Sequence, residues 1–173
     1  YKCTDLTSVV IPNSVIMIGG HAFAKCPSLT DIVIPDSITE IARAAFADCP
    51  ALTGIVIPAK TTKIGCGAFS GCSSLTRVTI PGTVTEIGEY AFSGCTNLTV
   101  MVIPNGVTEI GDGVFSWCEN LTNITVDDAN TAYSSENNIL YTKDKKKVIV
   151  AAGALKGHIV IPDSVTDMSC CFF

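Results

Sequence analysis

A 23-residue period runs through most of this chain and limits the folds available to it more than any other feature. Six cysteines, six leucines and five phenylalanines keep this step, and an Ile-Pro pair recurs at the same interval. The two clearest columns are Cys3, Cys26, Cys49, Cys72, Cys95, Cys118 and Phe23, Phe46, Phe69, Phe92, Phe115. Because five full copies stay in phase over residues 3–117, the repeat indicates a recurring structural unit.

The first half of each unit predicts a short strand that ends at proline. In the second copy, Ile32 and Ile34 fall on one face of an extended strand. Asp31 and Val33 alternate with them and fall on the other face. Pro35 lacks an amide hydrogen and fixes its own φ, so we expect it to end the strand.

The second half of each unit predicts a return toward the next strand. Glycine follows a second apolar pair in four copies, where a tight bend that needs positive φ would favour it. The column is Gly19, Ala42, Gly65, Gly88 and Gly111, and its alanine means that positive φ is not strictly required there. The segment that follows, x-x-Ala-Phe-x-x-Cys in most copies, suits one short helical or 3₁₀ turn.

A single unit cannot bury its apolar side chains alone, so successive units must stack. A period between about 20 and 30 residues with an L-x-x-[LIV]-x-[LI] core is typical of a leucine-rich-repeat solenoid. We therefore predict a right-handed, α/β-type leucine-rich-repeat solenoid of short β-strands, turns and short helical or 3₁₀ segments. In this fold like side chains form continuous buried columns.

The repeat resembles that of the BspA-like leucine-rich-repeat family of bacterial surface proteins, which is also found in some parasitic protists. The family pattern C-x-x-L-T-x-V-x-I-P-x-x-V-T-x-I-G-x-x-A-F-x-x-C is matched almost residue for residue from Cys72 to Cys95. The resemblance covers nearly the whole chain. It implies a cell-surface or secreted protein used in adhesion or in binding host proteins.

The repeat loses its phase after Val126, because the next Ile-Pro pair lies 12 residues later than two further copies would place it. Two β-rich runs, 139–141 and 148–150, surround a polar loop and predict a β-hairpin. The BspA-like family carries a similar insertion. We therefore divide the chain into repeats at 1–126, a β-hairpin insertion at 127–157 within the same solenoid, and a truncated final repeat at 158–173.

The two ends of the sequence suggest a piece of a longer protein. Tyr1 begins partway through the repeat pattern, without an initiating methionine or a signal peptide. The last residues, Cys170 to Phe173, would expose apolar surface if the final coil stopped there.

Composition and charge exclude several classes of protein. Eleven basic against 16 acidic residues give a net charge of -5, which argues against a nucleic-acid partner. With 47% hydrophobic and 16% charged residues, the chain is not intrinsically disordered. No apolar run approaches the roughly 18 residues that span a bilayer, so we predict no membrane span in this chain.

The cysteines invite a disulfide or metal interpretation. The six that keep the period occupy an inward column, where a reduced thiol packs as a small hydrophobe. Sulfurs one strand apart are near, but not ideally placed for, a disulfide, so that alternative stays open. Zinc is disfavoured because C-x-x-C pairs are absent. Cys66 lies in a variable column and is expected to be exposed and free.

No catalytic, metal or cofactor site is predicted, and an enzyme is the least favoured class. His21 and His158 have no acid or nucleophile at triad spacing and are expected to be solvated. Two groups of charged residues are likewise expected to be solvated rather than catalytic. They are the acidic column Glu40, Glu86, Glu109 and the hairpin-tip lysines Lys143, Lys145, Lys146, Lys147.

The outward strand face is the predicted binding surface. A nearly uniform β-branched stripe runs beside a variable one, and such an apolar stripe could bind protein. The candidate residues are Ser8, Val10, Asp31, Val33, Val56, Arg77, Thr79, Val100, Val102, Asn123 and Thr125. A purely structural explanation is equally open, because valine and threonine favour strands and a ladder of like residues stabilises a sheet.

Two functions follow from this sequence. The first is a non-enzymatic protein-binding or adhesion module of a cell-surface or secreted protein, with host extracellular-matrix proteins as candidate partners. The second is a structural spacer whose repeats project another domain.

Overall fold

A computed structural model describes residues 3–168, which form a solenoid of stacked coils. We number the coils from the cysteine column, so that coil 1 begins at Cys3 and coil 6 begins at Cys118. In chain order the strands are β1 (Ser8–Val10), β2 (Asp31–Val33), β3 (Glu40–Ile41), β4 (Gly54–Val56), β5 (Lys63–Ile64), β6 (Arg77–Thr79), β7 (Glu86–Ile87), β8 (Val100–Ile103), β9 (Glu109–Ile110), β10 (Asn123–Val126), β11 (Tyr133–Glu136), β12 (Ile139–Thr142), β13 (Lys147–Ala151) and β14 (Asp167–Met168).

The predicted Ile-Pro strands form a first ladder, which comprises β1, β2, β4, β6, β8 and β10. They pair in parallel and in twos, β1 with β2, β4 with β6, and β8 with β10. Each residue faces its counterpart one repeat later, as Ser8 faces Asp31. The middle residue of β2, Ile32, is buried between two exposed neighbours, as the alternating pattern predicts.

A second ladder, comprising β3, β5, β7 and β9, runs continuously along another side of the solenoid. Its strands are parallel and in register, with Ile41, Ile64, Ile87 and Ile110 facing one another in turn. An isolated bridge from Ile18 to Ile41 extends the same arrangement to coil 1. The second ladder therefore joins coils that the paired strands of the first ladder leave unconnected.

The segment that leads into each phenylalanine is a series of turns. Ala45 N–H donates to Ala42 O within coil 2 (3.2 Å), whereas the next amide, of Phe46, donates across the coil interface to Ala68 O (2.8 Å). A 3₁₀ helix requires consecutive i→i+3 bonds, and this alternation interrupts them. The predicted helical or 3₁₀ segments, and with them the α/β class, are not found in residues 3–168, where the fold is a β-solenoid.

Left-handed backbone does not fall at the predicted glycine column but at two positions further along each repeat. It occurs two residues before each column phenylalanine and one residue before the following cysteine. These residues are His21, Ala44, Gly67, Tyr90, Gly113 and Lys25, Asp48, Gly71, Gly94, Trp117. The predicted column serves close packing instead, because a Cβ at Gly88 would lie 2.6 Å from Cys66 N and 2.8 Å from Gly65 C in the preceding coil.

The core consists of the repeat's own columns. The phenylalanine rings stack with centroids 5.4–5.9 Å apart from Phe23 to Phe115. Phe46, Phe69 and Phe92 are completely buried, and so are the leucines at the start of each strand segment from Leu29 to Leu121. Stacked aromatic rings add stabilisation beyond the area that they bury.

The insertion forms an antiparallel sheet of three strands. β12 and β13 pair antiparallel around the polar loop, as the sequence predicts for the two β-rich runs. β11 pairs with the other edge of β12, and β14 joins β13 in parallel. Sequence analysis missed β11 because its Tyr-Ser-Ser-Glu sequence lacks the apolar alternation of a half-buried strand.

Two side chains fasten this sheet to coil 5. The buried Asn130 amide donates to Pro104 O (2.8 Å) and Val107 O (3.0 Å). Its Oδ1 accepts the Tyr133 N–H (2.8 Å), and the Tyr133 hydroxyl accepts the Ile110 N–H (2.9 Å). The insertion thus satisfies backbone groups at the end of the second ladder, which buried amides require.

The described residues contain no helix that is long and apolar enough to cross a membrane. The cysteine pair Cys170 and Cys171 and the terminal Phe173, which the sequence analysis discussed, lie outside the described residues.

We predict that Phe69→Ala destabilises the solenoid by about 3–5 kcal/mol, because it removes a fully buried ring that stacks on both neighbours. Phe23→Ala is the matched control, since that ring is only half-buried and stacks on Phe46 alone among the described aromatic pairs. Urea unfolding of both variants measures the difference. Equal losses of stability would contradict the stacked-column description.

We also predict that Gly88→Ala destabilises the fold by about 1–3 kcal/mol, because the new Cβ would press on the backbone of coil 3. Gly19→Ala is the matched control: it has nothing within 4 Å of the added atom. Neither glycine has left-handed backbone, so the comparison isolates coil packing. Thermal unfolding should show a loss for Gly88→Ala only, and similar behaviour of the two variants would refute the packing role.

Candidate interaction surfaces

All predicted binding residues of the first ladder are exposed. They alternate with buried residues, because successive side chains of a strand point to opposite faces. Val10 is 93% exposed, and Val33 and Val56 remain 72% and 68% exposed although they have neighbours on both sides. We call this surface, formed by the outward residues of the first ladder, the strand face.

The strand face contains an open concavity of about 770 Å³ across coils 2 to 4. Asp31, Val33, Val56, Arg77 and Thr79 line it, so five of the candidate residues meet in one place. Ser8, Val10, Val100, Val102, Asn123 and Thr125 lie on the same face outside this concavity.

Gly54, which has no side chain, is among the residues that line this concavity. Gly54 faces Arg77 in the paired strand and follows Asp31 in the column by one repeat. A Cβ there would have only the Arg77 carbonyl oxygen, at 3.9 Å, among its three nearest heavy atoms within 4 Å. Gly54 thus leaves open space in its column between the acidic Asp31 and the basic Arg77.

The outward side chains of the second ladder form a charged edge rather than a reactive site. Lys63 Nζ lies 2.9 Å from Glu86 Oε2, and both side chains are substantially exposed. This pairing holds the Lys63 pKa above its ordinary value through the hydrogen bond and charge of Glu86. Residues 3–168 contain no group of three or more side chains that could hold a metal ion.

The lysines of the hairpin tip are largely neutralised by carboxylates. Lys145 pairs with Glu136, and Lys147 Nζ lies 3.8 Å from Asp167 Oδ2. Such exposed pairs contribute little stability, yet they reduce any surplus positive field at the tip. His21 and His158 are both exposed, as predicted.

The column cysteines from Cys26 to Cys118 are buried, packed thiols, and from Cys49 onward each donates to the phenylalanine carbonyl 26 residues earlier. Cys3 is exposed, contrary to the predicted inward column, because no coil precedes it among the described residues. Cys72 Sγ donates to Phe46 O (3.2 Å) and Cys95 Sγ to Phe69 O (3.3 Å). All cysteines from Cys3 to Cys118 are free, which excludes the disulfide alternative for them in this structure. Cys66 is free and exposed, as predicted.

Burial raises the pKa of the buried column thiols, from Cys26 to Cys118, and keeps them protonated at neutral pH. The pKa of Cys49 rises to about 11, and those of Cys72 and Cys118 rise to about 12, mainly because burial disfavours the thiolate. The pKa of Cys95 is also strongly raised by burial. Since the thiolate is the reactive form, these buried thiols react poorly at neutral pH.

Sequence analysis missed a second cavity of about 580 Å³, which lies between coils 4 to 6 and the end of β13. Tyr90 and Trp117 form part of its wall and are 44% and 75% exposed. Both occur in columns that hold glycine in neighbouring coils, Gly67 and Gly113 for Tyr90, Gly71 and Gly94 for Trp117. An aromatic residue in a column of small or polar residues was the available signal.

Comparison with known families decides the assignment of the repeat. The BspA-type leucine-rich repeat region matches in six copies, over residues 1–122 and 39–152. The chain belongs to the BspA-type leucine-rich repeat family. A comparison with curated protein sequences gave no match.

Three solved structures of bacterial proteins have the same fold as this chain. A leucine-rich cell-surface protein from Faecalibacterium prausnitzii is 38% identical, with a TM-score of 0.84 over 95% of this chain and 45% of its own. The pneumococcal vaccine antigen PcpA is 24% identical, with a TM-score of 0.88 over 96% of this chain and 42% of its own, a likeness that shows the fold alone. A leucine-rich repeat protein from Eubacterium ventriosum is 28% identical, with a TM-score of 0.68 over 84% of this chain and 45% of its own. This BspA-type chain therefore spans less than half the length of each of these proteins.

The raised thiol pKa values predict a loss of stability at high pH. Burial lifts the Cys72 pKa from 9.0 to about 12, so above pH 9 the unfolded chain releases a proton that the folded chain keeps. The stabilisation is complete below pH 9 and is lost as pH rises toward 12. From about pH 8 to about pH 10.5, ionisation of Cys72 on unfolding should lower the unfolding free energy of the unmodified chain by about 2 kcal/mol. Cys72→Ala lacks this thiol and should not show that part of the decrease.

Urea unfolding at the two pH values measures this difference. Cys66→Ala removes an exposed thiol and serves as the control, with the pH dependence of the unmodified chain. An unchanged pH dependence in Cys72→Ala would show that the buried thiol does not resist ionisation.

Proposed function

We propose that this chain is a non-enzymatic protein-binding module of a cell-surface or secreted bacterial protein, and that it binds its partner through the strand face. Membership of the BspA-type family and the likeness to a cell-surface protein of Faecalibacterium prausnitzii support the location. The observation that carries the choice of surface is the exposed valine stripe of the first ladder.

The stripe exposes more apolar surface than a strand requires. Threonine satisfies the same β-branched preference and can hydrogen-bond water, as Thr79 and Thr125 can in this column. Valine occupies the remaining places and leaves its methyl groups in solvent. The exposed fractions are 93% for Val10, 72% for Val33, 68% for Val56 and 54% for Val102. Exposed apolar surface of this kind supports a binding role for the strand face.

The concavity across coils 2 to 4 supplies orientation to this stripe. Asp31 and Arg77 carry opposite charges on either side of Gly54, so a partner with the complementary arrangement is steered into one register. Arginine beside apolar surface is also among the residues that most often dominate binding energy. We place the centre of the interface here.

Host extracellular-matrix proteins are the first partners to test, because the family resemblance implies adhesion to host proteins. A rigid, preformed face suits a folded protein partner, since little conformational entropy is lost when such a surface binds.

We predict that Val56→Glu and Arg77→Glu each weaken capture of a matrix-protein partner at least tenfold. The first places a charge in the exposed valine stripe, and the second reverses a charge beside it, so each should remove about 1.4 kcal/mol or more of binding energy. Surface plasmon resonance against immobilised matrix proteins gives the affinities.

Arg43→Glu is the control for charge, because Arg43 is exposed, does not line the concavity and undergoes the same reversal. Unchanged binding in this variant, with losses in the other two, supports the strand face. Equal binding by all variants would place the contact elsewhere. Failure of the unmodified chain to bind any matrix protein would favour the spacer function.

A further inference from the structure

The cavity beside Trp117 is preformed by backbone contacts. After β13 the chain turns at Gly153, where a Cβ would collide with the Cys118 carbonyl oxygen. Ala154 N–H then donates to Leu121 O (3.0 Å), which holds the returning segment against coil 6. The resulting volume of about 580 Å³ lies within the range of about 300–1,000 Å³ that small-molecule sites occupy.

The aromatic walls of this cavity stand at the two left-handed positions that recur in each repeat. Tyr90 has φ 54° and Trp117 has φ 62°, a region that bulky residues rarely adopt. Neighbouring coils place glycine at the equivalent positions, which shows that the fold itself does not need an aromatic side chain there. His21, Ala44, Lys25 and Asp48 hold the same backbone in other coils, so what distinguishes Tyr90 and Trp117 is the size and chemistry of their rings.

The charge of the cavity selects against anions. Glu119 is its one ionisable acid, and neither lysine, arginine nor histidine is among its lining residues. The faces of tryptophan and tyrosine carry negative electrostatic potential, which attracts cations. A carboxylate beside aromatic faces therefore suits a positively charged ligand.

The rest of the wall suits a ligand with an apolar body and a hydroxyl group. Val150, Ala152 and Leu155 supply aliphatic surface. Ser116 is 9% exposed, and its hydroxyl has no hydrogen-bond partner within residues 3–168. A ligand hydroxyl that reached this oxygen would satisfy a buried polar atom, and such atoms are rarely left unpaired.

We propose that this cavity binds a small organic ammonium ion, with the cationic group against Trp117 and Tyr90 and its charge balanced by Glu119. The site lies on a different part of the solenoid from the strand face and does not depend on the proposed protein partner. A quaternary ammonium group is the best match, because its methyl groups bury against the rings while its charge is retained.

Trp117 is the only tryptophan in the chain, so its fluorescence reports directly on this site. Choline is the probe, and 3,3-dimethylbutan-1-ol is its neutral counterpart of the same shape. We expect a saturable fluorescence change with choline and at least threefold weaker binding of the neutral alcohol, in line with the contribution of a partly exposed cation–π contact. Equal binding of both compounds, or no response to choline, would overturn the proposal.

Variants separate the contributions. Glu119→Gln should weaken choline binding several-fold, whereas Glu109→Gln, on the second ladder and outside the cavity, should not. Trp117→Ala should abolish binding, measured by broadening of the choline methyl resonance because this variant lacks the fluorophore. A circular dichroism spectrum like that of the unmodified chain establishes that each variant is folded, and retained binding in folded Trp117→Ala would refute the site.

The same ammonium group occurs on free choline and on phosphatidylcholine headgroups. Vesicles of phosphatidylcholine distinguish the sources: binding to vesicles that Trp117→Ala removes assigns the headgroup, and saturation by free choline without vesicle binding assigns the free ion. Arg77→Glu should leave choline binding unchanged, so failure of the strand-face proposal and failure of this one give different results.

Discussion

Hydrogen bonding between successive coils is the interaction on which the rest of this structure depends. Backbone donors such as the Phe46 amide reach the next coil directly, and side chains that recur in every repeat add donors directed at the preceding one. Thr62 Oγ1 donates to Thr39 O (3.3 Å), and the column cysteines donate to phenylalanine carbonyls. These bonds form only if every coil has the same length, which is why threonine, cysteine and glycine keep the period as strictly as the large apolar residues.

The insertion shows what happens where that length changes. A coil that is 12 residues too long cannot present its amides in register with the second ladder. Asn130 and Tyr133 take over this function with side-chain atoms, since a buried carbonyl or amide at the end of β9 must still be paired. Beyond these contacts the chain forms its own antiparallel sheet. β14 pairs with β13 of this sheet in parallel, as the strands of the solenoid pair with one another.

The sequence allowed prediction of those features that depend on spacing alone. The strand segments, their exposed and buried faces, the stacked phenylalanines and the hairpin all follow from residue type and period. The turn geometry could not be predicted, because the residue types from Ala42 to Phe46 do not indicate that alternate amides donate to another coil. β11 was missed because Asn130 and Tyr133, rather than an apolar pattern, fix it in place. The cavity beside Trp117 could not be foreseen, since it requires contact between segments whose separation in sequence is unrelated to the period.

The concavity of the strand face and the cavity beside Trp117 both lie where a residue differs in size from the residues at the same position of other repeats. In a periodic scaffold, equivalent residues make equivalent packing contacts. A residue that differs from its counterparts in other coils is therefore not required for packing and can be used for binding. Gly54 has no side chain, whereas the other residues of its column do, and it lies in the concavity between Asp31 and Arg77. Tyr90 and Trp117 are instead larger than their counterparts, and they place rings at positions where left-handed backbone favours glycine. The left-handed backbone itself is common to all the repeats, because His21, Ala44, Lys25 and Asp48 adopt it as well. The repeat therefore tolerates many side chains at these positions, and the cavity depends on the two rings rather than on the backbone that holds them.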